Sequence, residues 1–161
     1  MTESHGRAEV VVASNRAAAG VYADETGPLI VEALRDLGFT VGAPSVVPDG
    51  PPVGAAIAAA VEGGARVVLT TGGTGLTPTD QTPEQTRPLL EREVPGIAEA
   101  IRAAGVAAGI PTAVLSRGLA GVAGSCLVVN LPGSRGGVKD GLSVLRPLLV
   151  HAVEQIVGSD H

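Results

Sequence analysis

The sequence has almost no aromatic residues: Tyr22 and Phe39 are the whole set, and tryptophan is absent. A core without large rings must be built from Val, Leu, Ile and Ala, whose small and branched side chains let helices lie close to a sheet. Lysine is nearly as scarce, with Lys139 alone, and the net charge is −5. An electrostatic nucleic-acid binder needs a basic face, and a single-strand binder needs rings on which bases stack. Neither feature is present, so nucleic acid is not an expected partner.

Cys126 is the one cysteine. No disulfide can form within the chain, which fits a reducing cytosol. Its apolar neighbours make it a small buried hydrophobe rather than a nucleophile. No apolar run reaches the roughly 20 residues of a membrane span. The polar start, Met1 to Glu9, lacks the apolar segment of a signal peptide. The expectation is a soluble, cytoplasmic protein with no membrane contact. The histidines His5, His151 and His161 have no zinc-binding spacing.

Glycine and proline are plentiful, with 23 and 12 in 161 residues, inside a chain that is 45% hydrophobic. That length suits one domain over 1–161, with 1–7 expected to be flexible. Val10, Val11 and Val12 predict a buried strand over Glu9 to Ala13. A loop follows over Ser14 to Gly27, then a helix opened by Gly27-Pro28 and ended by Gly38. Phe39 to Val47 reads as a second strand, interrupted by Gly42 and Pro44, and Pro48 to Pro52 as a turn. Val53 to Val61 predicts an alanine-rich helix, and Arg66 to Thr70 a third buried strand. Helices are expected from Pro83 to about Arg92, with Thr82 as N-cap, and from Pro95 to about Ala104. Pro111 to Ser116 reads as a strand, Gly118 to Gly124 as a flexible link, and Cys126 to Leu131 as another buried strand. A last helix, bent at Pro147, spans Val138 to Val157.

Strands alternating with helices predict an α/β domain whose mostly parallel sheet is covered on both faces. Ligands of such sheets sit beyond the carboxyl ends of the strands. The loops there carry most of the Gly, Ser, Thr and Asp. Thr71-Gly72-Gly73-Thr74-Gly75 is the strongest: its glycines can turn amide N–H groups toward an anion, and its threonines add hydroxyls. No lysine follows the last glycine, so it is not a Walker A loop. A tight turn after a strand uses the same residues, and the motif alone does not choose between the two. Asp80 is either a ligand for Mg²⁺ or a helix-start carboxylate, and Asp49 either its partner or an ordinary turn residue. Pro132-Gly133-Ser134 and Ser116-Arg117 offer either ligand contacts or plain connections, as does Ser14 with Asn15 and Arg16. Ser134 lacks the Gly-x-Ser-x-Gly frame of a hydrolase nucleophile.

Taken in order, these segments resemble the MogA/MoaB family of molybdenum-cofactor assembly, which includes the G domain of gephyrin. The resemblance runs through Ser14-Asn15-Arg16-Ala17, Gly20-Val21-Tyr22, Asp24, Gly27-Pro28, Pro48-Asp49, Thr70 to Glu84, Pro95-Gly96, Ser116-Arg117 and Asn130 to Ser134. It implies a three-layer α/β sandwich that assembles as a homotrimer or hexamer. It also implies molybdopterin and ATP as substrates, with adenylylation of the pterin phosphate and release of pyrophosphate, or non-catalytic pterin binding of MoaB type. Contact with other molybdenum-cofactor assembly proteins is implied as well. By the same resemblance Asp49 and Asp80 are catalytic and hold Mg²⁺. Ser14, Thr71, Gly72, Gly73, Thr74, Gly75, Ser116, Pro132, Gly133 and Ser134 would line the nucleotide or pterin site. Asn15 stands where many relatives have Asp, Thr79 where Arg or Lys is frequent, and Arg135-Gly136-Gly137 departs from the common continuation.

Overall fold

Strand β1 (Arg7–Ala13) runs through the middle of the protein, and its side chains alternate between two apolar cores. Ala8, Val10 and Val12 face one core, Val11 and Ala13 the other, as the period of two requires. The computed structural model describes residues 4–158. Met1–Glu3 and Ser159–His161 lie outside the described residues, taking with them part of the expected loose stretch 1–7. Of the rest of that stretch, Arg7 is already in β1, and the His5 N–H donates to the Gly38 carbonyl at 3.0 Å.

The expected loop after β1 contains one short helix, α1 (Asn15–Ala18), capped by Ser14, whose Oγ accepts from the Ala17 N–H. Helix α2 (Thr26–Asp36) starts slightly before Gly27-Pro28 because the Asp24 carboxylate accepts from the N–H groups of Thr26 and Gly27. The expected second strand is two short ones, β2 (Thr40–Val41) and β3 (Ser45–Val47), both parallel to β1. Gly42 and Pro44 separate them. Helix α3 (Pro51–Glu62) begins two residues earlier than expected, since its prolines occupy first-turn positions that need no donor. Strand β4 (Val67–Thr71) is buried throughout.

Helix α4 (Thr82–Thr86) is shorter than the sequence suggests. Pro88 cannot donate to the carbonyl four residues back, so the chain tightens into a 3₁₀ turn, Arg87–Leu89, before β5 (Arg92–Glu93) and α5 (Pro95–Ala107). Two expectations fail between α5 and the last strand. Pro111–Leu115 is a 3₁₀ turn, not a strand, with Val114 and Leu115 exposed to solvent. The supposed flexible link holds β6 (Ala120–Ala123), fully buried and antiparallel to β7 (Cys126–Leu131) across the two-residue turn Gly124-Ser125. Apolar content misplaced the strand: the wholly small residues 120–123 fit the close-packed interior, and the bulkier 111–115 do not. The last helix is two, α6 (Arg135–Leu145) and α7 (Leu149–Ile156), parted around Pro147.

The sheet runs β2-β1-β4-β7-β6-β5, with β3 beside β2 on the same edge of β1. The pairs among β1, β2, β3, β4 and β7 are parallel, and β5 and β6 add an antiparallel margin. Helices α2, α5, α6 and α7 cover one face through Ile30, Leu34, Ile101, Leu142, Leu145 and Leu149. Helix α3 covers the other through Val53, Ile57 and Ala60. This is the three-layer α/β arrangement expected. The chain leaves β1 toward one edge and returns to β4 on the opposite side, so the topological switch lies between β1 and β4.

Candidate functional site

Strand register brings the loops together. Ala13 pairs with Val47, Val12 with Thr71, and Thr71 with Leu131. The loops opening at Ser14, Pro48, Gly72 and Pro132 therefore leave one rim of the sheet side by side.

Gly72 and Gly73 form the centre of that rim, at φ +89° and +68°, where an L side chain is strained. A β-carbon on Gly72 would run into the Ala13 carbonyl, and one on Gly133 would stand 3.1 Å from Gly72 Cα. The loops after β4 and β7 are thus in backbone contact. Thr71 Oγ1 reinforces this by donating to the Pro132 carbonyl at 2.6 Å. Thr71 is buried, and its hydroxyl joins the two loops. Thr82 also differs from its expected capping role: its Oγ1 donates to the Gly72 carbonyl at 2.9 Å, and its N–H to the Gly73 carbonyl at 3.0 Å. Among the described residues, the N–H groups of Gly73, Thr74 and Gly75 have no protein partner. Three adjacent free donors on a tight turn are a cradle for an anion.

Both candidate carboxylates lie against this loop. A β-carbon on Gly73 would stand 3.0 Å from Asp49 Oδ1, and one on Gly75 2.8 Å from Asp80 Oδ2. Asp49 Oδ1 is buried and accepts no hydrogen bond. Burial first, and the charge of Asp80 second, push the Asp49 carboxyl above its ordinary range, with the Asn15 backbone partly offsetting them. Asn15 has a second role: its Oδ1 accepts from the Asp49 N–H at 2.9 Å. An Asp there would accept the same bond, so Asn15 keeps the geometry and removes one negative charge beside Asp49.

Two clefts flank the contact between Gly72 and Gly133. The larger, about 650 Å³, has a polar wall of Gly73, Thr74, Gly75, Asp80, Ser116, Pro132, Gly133 and Ser134. Ile101, Ile110 and Leu115 form its apolar side. The smaller, about 440 Å³, lies over the topological switch between Ser14, Tyr22, Asp24, Thr71, Gly72, Gly133 and Arg135. Tyr22 Oη and Ser14 Oγ share a hydrogen bond of 3.0 Å at its edge. Helix α6 points its N-terminus at this region, where Ser134 Oγ accepts from the Gly137 N–H. A helix start of this kind favours an anion. Thr79, by contrast, is on the exposed outer part of the loop.

Asn130, inside the segment Asn130 to Ser134, carries a support with no role expected of it. Its Nδ2 donates to Thr70 Oγ1 and Thr86 Oγ1, and its Oδ1 accepts from the Leu119 N–H. The only signal was a polar residue inside a buried strand. Arg117, 35% exposed, likewise has protein partners for its guanidinium. It is bound to the glycine loop.

Residues 9–151 match the family model described as "Probable molybdopterin binding domain". The chain is 42% identical over 155 residues to the molybdenum cofactor biosynthesis bifunctional protein of Synechococcus elongatus, covering 96% of this chain and 48% of that protein. It thus spans about half the length of the first bifunctional relatives it matches. It is 36% identical over 149 residues to the molybdopterin adenylyltransferase of Pyrococcus furiosus, covering 90% of this chain and 88% of that one. A solved MogA structure superposes with a TM-score of 0.91 at 55% identity, covering 93% of this chain and 99% of the other. The Mog protein of Mycobacterium ulcerans does so with a TM-score of 0.91 at 49% identity, over 99% and 100% of the two chains. The shared sheet, the glycine rim with its two aspartates and these likenesses agree: the chain belongs to the MogA/MoaB family of molybdenum-cofactor biosynthesis proteins.

Proposed function

We propose that the chain transfers an adenylyl group from ATP to the phosphate of molybdopterin, as the name of its Pyrococcus relative describes for that protein. A pterin phosphate oxygen forms a bond to the α-phosphorus, the bond from that phosphorus to the β-bridging oxygen breaks, and pyrophosphate leaves with the electron pair. The observation that carries this reading is the meeting of the unpartnered Asp49 Oδ1, Asp80 and the free amides of Gly73 to Gly75 on one rim.

Transfer between phosphates asks for alignment and charge neutralisation more than for a covalent group. The amides of Gly73, Thr74 and Gly75 orient phosphate oxygens without needing to reorganise. The start of α6 at Ser134 adds a second anchor, and the two clefts give room for two ligands meeting at Gly133. A general base is unnecessary because the attacking phosphate is already anionic.

The residues fit Mg²⁺. Asp49 has a buried oxygen lacking a donor, and its carboxyl sits near that of Asp80. Among the described residues no set of three acidic, His or Cys side chains could hold a metal alone. Two carboxylates completed by substrate phosphates is the usual Mg²⁺ arrangement. When bound, the cation supplies neutralisation of phosphate charge; Asp49 and Asp80 would hold it.

The reading includes self-association as a trimer or hexamer in the cytoplasm. Val106 and Val114 are exposed apolar residues on neighbouring segments outside the cleft, which supports burial against another copy. No described helix is long and apolar enough to cross a membrane.

The test is molybdopterin-dependent release of pyrophosphate from ATP by the purified protein, with and without Mg²⁺. Wild-type activity that is abolished in Asp80→Ala is expected. Unchanged activity in that variant would remove Asp80 from the site. Tight pterin binding with no pyrophosphate release would make the chain a carrier instead.

A further inference from the structure

The segment from Gly75 to Asp80 departs from the rim as a short excursion, with Leu76 65% exposed at its tip. Little packing holds it. Inside it, the Asp80 N–H donates to the Thr77 carbonyl at 3.0 Å, and the Thr77 N–H donates to Asp80 Oδ2 at 3.3 Å. Both are local bonds across the excursion, which close only while its two ends are held. Among the described residues, the side chain that hydrogen-bonds it to the rest of the protein is that of Arg117. Arg117 donates from Nε to the Gly75 carbonyl at 2.9 Å and from Nη2 to the Asp80 carbonyl at 3.0 Å. Its Nη1 donates to Glu84 Oε2 at 2.7 Å. The Arg117 N–H also reaches the Thr74 carbonyl at 2.8 Å. One planar guanidinium therefore holds the first and last residues of the excursion and the first turn of α4 together.

We infer that Arg117 is the positioning residue of the carboxylate pair: by gripping both ends of the Gly75–Asp80 excursion, it sets where Asp80 stands opposite Asp49. The inference rests on the adenylyl-transfer reading for its kinetic part alone. Asp49 is anchored separately, through Asn15 and the end of β3, so the separation of the two carboxylates depends on how firmly Asp80 is fixed. Arg117 reaches its partners because Ser116-Arg117-Gly118 passes beside the loop on its way to β6. Glu84 orients the guanidinium, and the arginine in return holds the Glu84 carboxyl below its usual range. Lysine cannot substitute: a single ammonium lacks the fork that spans two carbonyls and a carboxylate at once.

The experiment compares wild type, Arg117→Ala, Arg117→Lys and Glu84→Gln in two measurements: adenylylation kinetics with a Mg²⁺ titration, and amide hydrogen exchange across 75–80. A displacement of about 1 Å at a reacting centre costs up to about 100-fold in rate. The expected result is a fall in kcat of about that size for both Arg117 variants. KM for molybdopterin should stay within about twofold, because losing an interaction made only in the transition state lowers kcat and kcat/KM equally. The Mg²⁺ concentration for half-maximal rate should rise, and exchange at Thr77 and Asp80 should quicken. Glu84→Gln leaves the two carbonyl bonds in place and should lose far less. If Arg117→Ala does not fold, Arg117→Lys carries the same expectation. Wild-type kcat together with wild-type exchange protection in Arg117→Lys would overturn the inference. So would a loss confined to KM. A wild-type protein that makes no product refutes the adenylyl-transfer reading, while unchanged exchange in the variants still refutes the clamp; the two failures are distinct.

Discussion

A β-carbon on Gly73 would stand 3.0 Å from Oδ1 of Asp49, the carboxylate oxygen that is buried without a hydrogen-bond donor. The glycine loop and the acidic residue come from connections after two different strands, β4 and β3. Their approach is possible only because residue 73 has no side chain. Backbone amides and a carboxylate thereby share one small volume, where a cation and a phosphate can be held together.

Gly73→Ala tests that approach. The new methyl would meet Thr82 Oγ1 as well as Asp49, at a φ of +68°. A non-glycine residue there costs about 1–3 kcal/mol. Thermal unfolding should show the loss, and pyrophosphate release should fall further than stability explains, because the methyl occupies the anion cradle. A variant that keeps full activity would show that the loop does not hold phosphate.

Asp49→Asn should separate function from stability. The Asp49 carboxyl is raised above its ordinary value of 3.8, first by burial and then by Asp80. A carboxyl raised on folding favours the folded state while protonated. That contribution is complete below the ordinary value and is lost as pH rises through the raised one. At neutral pH the charged carboxylate therefore works against folding, and Asn, which is never charged, does not. Without added metal, Asp49→Asn should be more stable than wild type at pH 7, with the gap closing toward pH 3.8. Denaturation curves across that range check the sign. Adenylylation should drop by about 100-fold or more, the size of losing one electrostatic contact to the transition state.

Asn130→Ala removes the support beneath the rim. It would strand the part-buried Leu119 N–H and unlink Thr70 from Thr86, whose bonds to Asn130 are buried. An unsatisfied buried donor costs about 1–3 kcal/mol. For a domain of this size that corresponds to a fall in Tm of about 2–4 °C per kcal/mol. Asn130→Asp should be worse than Ala, since it buries a charge in place of the lost donor. Calorimetry of the two variants gives the order; the reverse order would mean that the network contributes little.

Much of the fold was legible in local chemistry. The runs Val10-Val11-Val12, Val67-Val68-Leu69 and Leu127-Val128-Val129 marked the central strands, and they are buried as expected. The glycine loop and the two aspartates were legible as residue types at strand ends. The region from Pro111 to Ala123 was not. There a bulky apolar run became an exposed 3₁₀ turn, and a glycine-rich stretch became a buried antiparallel strand. Apolar pattern reports how well a segment pays back burial, and says nothing of whether the sheet has a vacant edge that only small residues fit.

The sequence by itself determined the parts: which segments extend, which coil, and which turns could present amides and carboxylates. Those depend on backbone preferences and periodicity within a few residues. Tertiary structure alone decided that Asp49 lies against Gly73, that Thr71 and Thr82 spend their hydroxyls on loop carbonyls, and that Arg117 grips Gly75 and Asp80. Each of these joins residues distant along the chain, through side chains whose partners are set by strand register and layer packing, and no local rule encodes that.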